Sequence, residues 1–374
     1  MLLSPEQLIE QIHDSPTHIV LAVTGGGSRA IADLLAVPGG SRTILEAVVP
    51  YSAPAMEAWL GSRPDEFCSA ATARAMAMVA FQRGRCYEEP ETTLAGVACS
   101  ASLTTDRPKR GPHRVHVALQ TAAVTATWSL QLHKDRRSRP EEERLAGRLV
   151  LNVVAEACGV SPRLVLELLE GEQVQPSRTE APPEWQDLLL AKVESVCIGP
   201  TGRPPRVLLS GAFNPLHVGH RRMIQIAHEL LHESVALDIS IVNVDKPPLD
   251  YVELRRRLGQ FPPEQTIYLT RAATFEEKSR LFPGATFVVG ADTVRRIAAL
   301  QYYGGSAAAC QHAVERIAGR GCRFLVFGRD LGVGFLRLGD LDLPASLRAL
   351  CREVPPEVFR EEISSTAIRK SGAW

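Results

Sequence analysis

Two histidines three residues apart, His217 and His220, follow the turn Gly211-Ala212-Phe213-Asn214-Pro215, and a second polar group, Ser365, Thr366 and Arg369, stands near the end of the chain. Imidazoles spaced His-x-x-His at a helix start add donors to free backbone N–H groups and to the positive end of the helix dipole. An anion is the natural guest of such a cluster. Hydroxyls beside a planar guanidinium suit the same guest, because the arginine fork matches phosphate oxygens. The two groups together describe a grip on a nucleoside triphosphate. A histidine pair alone also occurs as a helix cap or inside a satisfied polar network. The turn before it, the Ser364-Ser365-Thr366-x-x-Arg369 group and Gly290-Ala291-Asp292-Thr293 favour the phosphate reading.

These residues need particular elements to hold them. Arg206 to Ser210 is a short apolar run with a β-branched member, Gly211 permits a tight turn, and Arg221 to Leu231 has helical spacing. Strand, loop and helix therefore carry the histidines. Thr286 to Val289 reads as a strand ending at Gly290, and Asp292, one residue before a helix, is an N-cap, a ligand, or both. Ala236 to Val244, Thr266 to Leu269 and Arg323 to Phe327 read as further strands. Alternation with helices predicts a mostly parallel sheet with its ligand across the strands' carboxyl ends. Leu249 to Gln260 reads as a helix whose run Arg255, Arg256, Arg257 is left unassigned, its plain reading being an exposed helix surface.

Another strand, glycine loop and helix open the chain: His18 to Val23, Thr24-Gly25-Gly26-Gly27-Ser28, then Arg29 to Ala36. Three glycines fit either a ligand or an ordinary tight turn. A helix over 4 to 14 precedes them, capped by Ser4. Thr43 to Val49, Leu94 to Cys99 and Arg114 to Ala122 read as strands, and Ala70 to Gln82 and Ser138 to Cys158 as helices. The basic loop with Arg107 and Lys109 holds phosphate or is a solvated hairpin end. Residues 159 to 170 allow a short helix, and Trp185 to Glu194 another that packs on the second domain.

The fold class that follows is α/β in two domains, each a mostly parallel or mixed sheet flanked by helices. The divisions expected are 1–170, a linker with a helix over 171–204, and 205–374. Lysine plus arginine equal aspartate plus glutamate at 42 each, so no global field recruits nucleic acid or an acidic membrane. Eight cysteines stand without metal-ligand or disulfide spacing, which predicts reduced, mostly buried thiols and no metal held by the protein. No apolar run reaches the roughly 18 residues of a membrane span. A cytoplasmic protein is expected.

With these residues in place, the second half resembles the HxGH nucleotidylyltransferase superfamily, whose domain is Rossmann-like. Ile363-Ser364-Ser365-Thr366-x-x-Arg369 makes it most similar to the nicotinamide or nicotinate mononucleotide adenylyltransferases. The resemblance implies transfer of AMP from ATP to the mononucleotide, with pyrophosphate expelled and Mg2+ bound alongside ATP. It gives catalytic roles to His217, His220 and Arg369, and substrate contacts to Gly211, Ala212, Phe213, Asn214, Gly290, Asp292, Thr293, Ser365 and Thr366. Lys246 stands where the family's lysine reaches the mononucleotide phosphate. The family's stacking tryptophan has no counterpart, and Tyr302 and Tyr303 are the nearest aromatics. Cytidylyl transfer to a phosphorylated alcohol and a non-catalytic nucleotide sensor are the alternatives.

Residues 17 to 165 resemble the nicotinamide-nucleotide amidase domain at the C-terminus of CinA proteins. Val23-Thr24-Gly25-Gly26, Val37-Pro38-Gly39-Gly40-Ser41, Val49-Pro50-Tyr51-Ser52 and Gly96-Val97-Ala98-Cys99 carry the likeness. Where that family has a serine nucleophile this chain has Ala22, and where it has a lysine, Met56. The resemblance thus implies lost amide hydrolysis, leaving nucleotide binding or homo-oligomer formation. Thr24, Gly25, Gly26, Tyr51, Arg107 and Lys109 are the surface implied for the nucleotide.

Overall fold

The computed structural model describes residues 3–89, 91–106, 110–200, 204–243, 247–330, 334–361 and 365–370. The chain divides into two compact units. One comprises Met1–Leu190 with Asp245–Glu253, the other Ala191–Val244 with Leu254–Trp374.

The first unit begins with α1 (Pro5–His13), whose N-cap Ser4 accepts from Gln7 N while the Gln7 side chain returns to Ser4 N. Then come β1 (His18–Thr24), α2 (Arg29–Ala36), β2 (Ile44–Val48), α3 (Ala53–Leu60), α4 (Ala70–Arg85), β3 (Leu94–Ser102), β4 (His113–Gln120), β5 (Val124–Leu132), α5 (Arg139–Ala157), β6 (Val174–Glu180) and α6 (Pro183–Leu189). The strands order β2-β1-β3-β4-β5-β6. β1 runs parallel to β2 and β3, and β3 to β6 form antiparallel pairs. β1 is buried from its second residue onward, as its unbroken apolar run requires of a strand covered on both faces. One face packs Leu21, Val97 and Val117 against Leu8, Ile12, Leu149 and Val153.

Several expectations give way here. Residues 159–170 form no helix, and the span taken as linker supplies β6, an edge strand paired with β5. Glu172 anchors that stretch: its carboxylate takes two hydrogen bonds from Arg137 at 2.7 and 2.8 Å and one from His133 N at 2.8 Å. Buried ionic hydrogen bonds of this kind leave no composition signal, so a polar stretch read as a tether. β5 and α3 were not expected. α6 belongs to the first unit. Its Trp185 lies 6.3 Å from Tyr251, which also donates through its hydroxyl to Ala122 O.

The second unit contains β7 (Ser195–Ile198), β8 (Val207–Ser210), α7 (Val218–Leu231), β9 (Val235–Ser240), most of α8 (Tyr251–Leu258), β10 (Ile267–Thr270), α9 (Phe275–Leu281), β11 (Thr286–Gly290), α10 (Ala291–Ile297), α11 (Ala307–Gly319), β12 (Arg323–Phe327), the short pair β13 (Arg329–Asp330) and β14 (Phe335–Leu336), α12 (Ala345–Arg348), β15 (Cys351–Glu353) and α13 (Ser365–Lys370). Its sheet orders β15-β12-β11-β8-β9-β10-β7, and only the edge strand β7 is antiparallel to its neighbour. The chain leaves β8 toward β9 and β10, then returns to β11 on β8's other side. That reversal makes the carboxyl ends of β8 and β11 the switch point where open α/β sheets bind ligands.

Beneath that edge sits a buried ion pair. Lys278 donates to Asp238 Oδ2, which also accepts from Ser210 Oγ at 2.7 Å, while Thr270 Oγ1 donates to Oδ1 at 2.8 Å. Asp238 is fully buried and Lys278 nearly so. The network ties β8, β9 and β10 together at the residue before Gly211.

All eight cysteines are free, with three buried, four half-buried and Cys86 exposed, so fewer are buried than their spacing suggested. Among the described residues no helix is long and apolar enough to cross a membrane, and no cluster of three or more His, Cys, Asp or Glu could hold a metal ion.

Candidate active site

Three adjacent parallel strands deliver the polar residues. β8 leads into the turn and α7, β11 into Gly290 and α10, and β12 into Arg329. His217 is the N-cap of α7 and His220 its third residue, so both imidazoles stand at the positive end of the helix dipole. Their rings stack at 3.8 Å between centroids and 25° between planes. His217 N donates to His220 Nδ1 at 3.3 Å. That nitrogen is therefore unprotonated, and the proton of neutral His220 sits on Nε2. His217 Nδ1 is buried without a hydrogen-bond partner.

Burial, helped by Arg329, pushes His217 down to about 4. Burial first, then His217 and Arg329, pushes His220 down to about 3. Both rings are neutral donors at neutral pH in the free protein. An anion placed against them opposes the same two causes.

The turn supports this pair from behind. Phe213 is 1% exposed, with its ring edge-on to His220 at 5.1 Å and to Phe261 at 5.4 Å. Its side chain is thus a support for His220 rather than a substrate contact, unlike the expectation from the resemblance. Gly211 makes room for it, since a Cβ there would stand 3.0 Å from the Phe213 ring. Phe213 adopts φ +45°, uncommon for a residue with a side chain. Ala212 is exposed at the start of the turn.

The C-terminal group meets the same turn. Ser365 Oγ donates to Pro215 O at 2.8 Å, and Arg369 donates to Asn214 O. The two clusters, 150 residues apart in sequence, are therefore brought to one turn, two and three residues before His217. Ser365 spends its one hydroxyl proton on that carbonyl. Thr366 lies in the same helix, α13.

Asp292 differs from its expected capping role. The N-cap of α10 is Gly290, and Asp292 lies inside the helix. Its Oδ1 is buried without a hydrogen bond, 3.7 Å from Arg329 Nη1. A Cβ at position 290 would stand 2.5 Å from that oxygen, so glycine leaves the carboxylate its place. Thr293 follows in α10, half-buried, and Lys246 lies outside the described residues.

Sequence reading missed four residues that shape the site. Arg329 follows β12 by two residues, a position a strand-end argument could have flagged. The arginine run is no plain exposed surface: Arg255 is exposed, but Arg256 donates to Asn214 Oδ1 and Arg257 to Ala212 O at 3.0 Å. Gln260 holds Phe213 O and Leu216 N, and no sequence signal marked it.

In the first unit the end of the glycine loop is bound by the protein itself. Glu143 accepts from Gly27 N at 3.0 Å, Ser28 Oγ at 3.0 Å and Arg29 N at 3.1 Å, so a carboxylate of the protein takes the donors at the start of α2. Gly25, at φ +73°, could carry no side chain, because a Cβ would stand 1.8 Å from Ala101 O. Gly26 packs the same way on Leu103. Thr24 Oγ1 donates to Pro50 O at 3.1 Å, and Tyr51 beside it is 66% exposed. Arg107 and Lys109 lie outside the described residues. Ala22 and Met56, 0% and 2% exposed, share one apolar cluster with Ala98 and Ala118.

Residues 208–371 match the family described as cytidylyltransferase-like, so the C-terminal part of the chain carries a nucleotidyltransferase domain of that kind. Over 42% of its length the chain is similar to solved CinA-type structures. The competence/damage-inducible protein CihA from Agrobacterium tumefaciens is 18% identical at a TM-score of 0.35, covering 42% of this chain and 98% of that one. A competence or damage-inducible protein from Enterobacter asburiae is 17% identical at 0.34, covering 42% and 99%. A CinA superfamily protein from Klebsiella pneumoniae is 14% identical at 0.35, again covering 42% and 99%. None of the curated proteins matches the chain.

Proposed function

We propose that the protein transfers AMP from ATP to nicotinamide or nicotinate mononucleotide and releases pyrophosphate. The observation that carries this reading is the meeting of α13 with the histidine turn, where Ser365 and Arg369 bond the carbonyls of Pro215 and Asn214. One polyphosphate can then be held from both sides.

The acceptor phosphate attacks the α-phosphorus of ATP as the bond to the β-phosphate oxygen breaks, so the protein needs to align two anions and stabilise the leaving group. Nε2–H of His220 and an N–H of His217 donate to α- and β-phosphate oxygens as charge grows there. Arg369 and Arg329 add guanidinium charge around the leaving pyrophosphate, and Ser365 keeps the turn in place. Thr366 is assigned to β- and γ-oxygens, and Lys246 to the acceptor phosphate. Magnesium brought in with ATP would supply charge neutralisation of the triphosphate. Asp292, whose Oδ1 is buried without a hydrogen bond, is the carboxylate that would help to hold it.

For the N-terminal half we infer no amide hydrolysis. Ala22 and Met56 provide neither an attacking atom nor a group to take its proton.

The test is to incubate the purified protein with ATP, magnesium and each mononucleotide, and to identify products by mass. A dinucleotide plus pyrophosphate is expected. The family's description favours cytidylyl transfer as the second reading, and CTP with a phosphorylated alcohol in parallel tubes separates the two. Binding of ATP with no product from any pair would leave a sensor. Ammonia release from nicotinamide mononucleotide would overturn the inference for the N-terminal half.

A further inference from the structure

Four consecutive carbonyls before His217 each accept a hydrogen bond from a side chain. Ala212 O is bound by Arg257 Nη1 at 3.0 Å, Phe213 O by Gln260 Nε2 at 2.9 Å, Asn214 O by Arg369, and Pro215 O by Ser365 Oγ at 2.8 Å. Engaged in this way, the negative ends of the turn's peptide dipoles are not free to repel a polyphosphate held at the start of α7.

Gln260 differs from the other three donors. Its Oε1 also accepts from Leu216 N at 2.7 Å, and its Nε2 makes a second bond to Arg257 O at 3.1 Å. One amide thus closes the turn from residue 213 to residue 216, supplying the acceptor and donor that a neighbouring strand would give. The orientation is fixed, because a flipped amide would face an N–H with its NH2 and two carbonyls with its oxygen. The turn requires such a tie. Phe213 sits at φ +45°, a conformation that persists only where surroundings impose it. Leu216 is the last residue before His217, whose N–H meets His220 Nδ1.

We propose that Gln260 is a positioning residue of nucleotidyl transfer: by holding Phe213 O and Leu216 N it sets the register in which His217 meets His220. As a statement about catalysis this rests on the nucleotidyl-transfer reading above. As a statement about the histidine pair it does not.

The experiment therefore has two readouts on the full chain. Nitrogen-15 NMR of the imidazoles in the free protein should find the His220 proton on Nε2 in wild type. In Gln260→Leu the signals should move toward a mixture of tautomers, because the Nδ1 acceptor loses its fixed donor. Steady-state kinetics should show kcat lowered roughly 10- to 100-fold, the cost of a misplacement near 1 Å, with the KM for ATP changed less than about threefold. If Gln260→Leu does not fold, Gln260→Glu keeps the acceptor for Leu216 N and turns an oxygen toward Phe213 O, and it carries the same test. A folded variant with wild-type tautomers overturns the proposal, whatever its melting temperature. Altered tautomers with unchanged kcat overturn the catalytic part. If wild-type protein turns over no nucleotide pair, the proposed function fails, and the tautomer pattern still decides whether Gln260 sets the pair.

Discussion

The two depressed histidines make a quantitative expectation about pH. At pH 6 a free imidazole of pKa 6.5 is about 76% protonated. At that pH His217, at about 4, is about 1% protonated and His220, at about 3, about 0.1%. From pH 8 to pH 5 their Cε1–H signals should move by no more than about a tenth of a full titration shift in the free protein. An opposite charge within a few ångströms raises a pKa by roughly 1–3 units. If bound tripolyphosphate lifts His217 by about two units, each worth about 1.4 kcal/mol, affinity should be about tenfold higher at pH 5 than at pH 8. Calorimetry at the two pH values measures this. The His217→Asn/His220→Asn double variant, run in parallel, subtracts the ligand's own titration. Folding linkage has the matching sign: the unfolded chain takes up these protons near 6.5 and the folded chain only near 4 and 3. Their contribution to stability is complete above pH 6.5 and is lost as pH falls toward those values. Histidine signals titrating near 6.5 in the free protein, or binding that is tighter at pH 8, would refute the buried neutral pair.

Three further outcomes follow from particular contacts. Asp238→Asn leaves Lys278 buried without its counter-charge and should cost about 3–5 kcal/mol in urea unfolding, most of it recovered in Asp238→Leu/Lys278→Met; an unchanged midpoint in the single variant contradicts the pairing. Burial opposes ionisation of Glu172, yet Arg137 and two backbone N–H groups hold its carboxyl down to about 2, so its stabilisation is full above about 4.5 and lost as pH falls toward 2. Glu172→Gln should flatten the acid limb of a stability–pH curve, and an identical curve argues against the anchor. Gly290→Ala places a Cβ on Asp292 Oδ1 and should raise the nucleotide KM roughly tenfold, about 1.4 kcal/mol, with little change in melting temperature; an unaltered KM would remove Asp292 from the site.

The strand-to-helix transitions were legible because they depend on neighbours in sequence. Ser4 with Gln7 and Ser138 with Glu141 are local capping pairs, and β1, β8, β11 and β12 are apolar runs that a covered parallel sheet demands. The histidine spacing placed both rings at the start of α7, since an N-cap and its third helical residue lie on one face of one turn. β6 was not legible, because its pairing with β5 depends on an edge more than forty residues away.

The amino-acid sequence by itself determined the histidine pair, the strand before it and the polar group at the chain's end, because residue type and spacing along one helix or one turn suffice for those. Only the tertiary structure decided who occupies each donor and acceptor. It gave Gly27 N and Arg29 N of the first unit to Glu143, the turn carbonyls to Gln260, Arg257, Ser365 and Arg369, and the His220 ring to the edge of Phe213. The physical reason is that hydrogen-bond saturation and desolvation are set by whichever distant segment the sheet order brings near. A linear pattern carries no record of that neighbour.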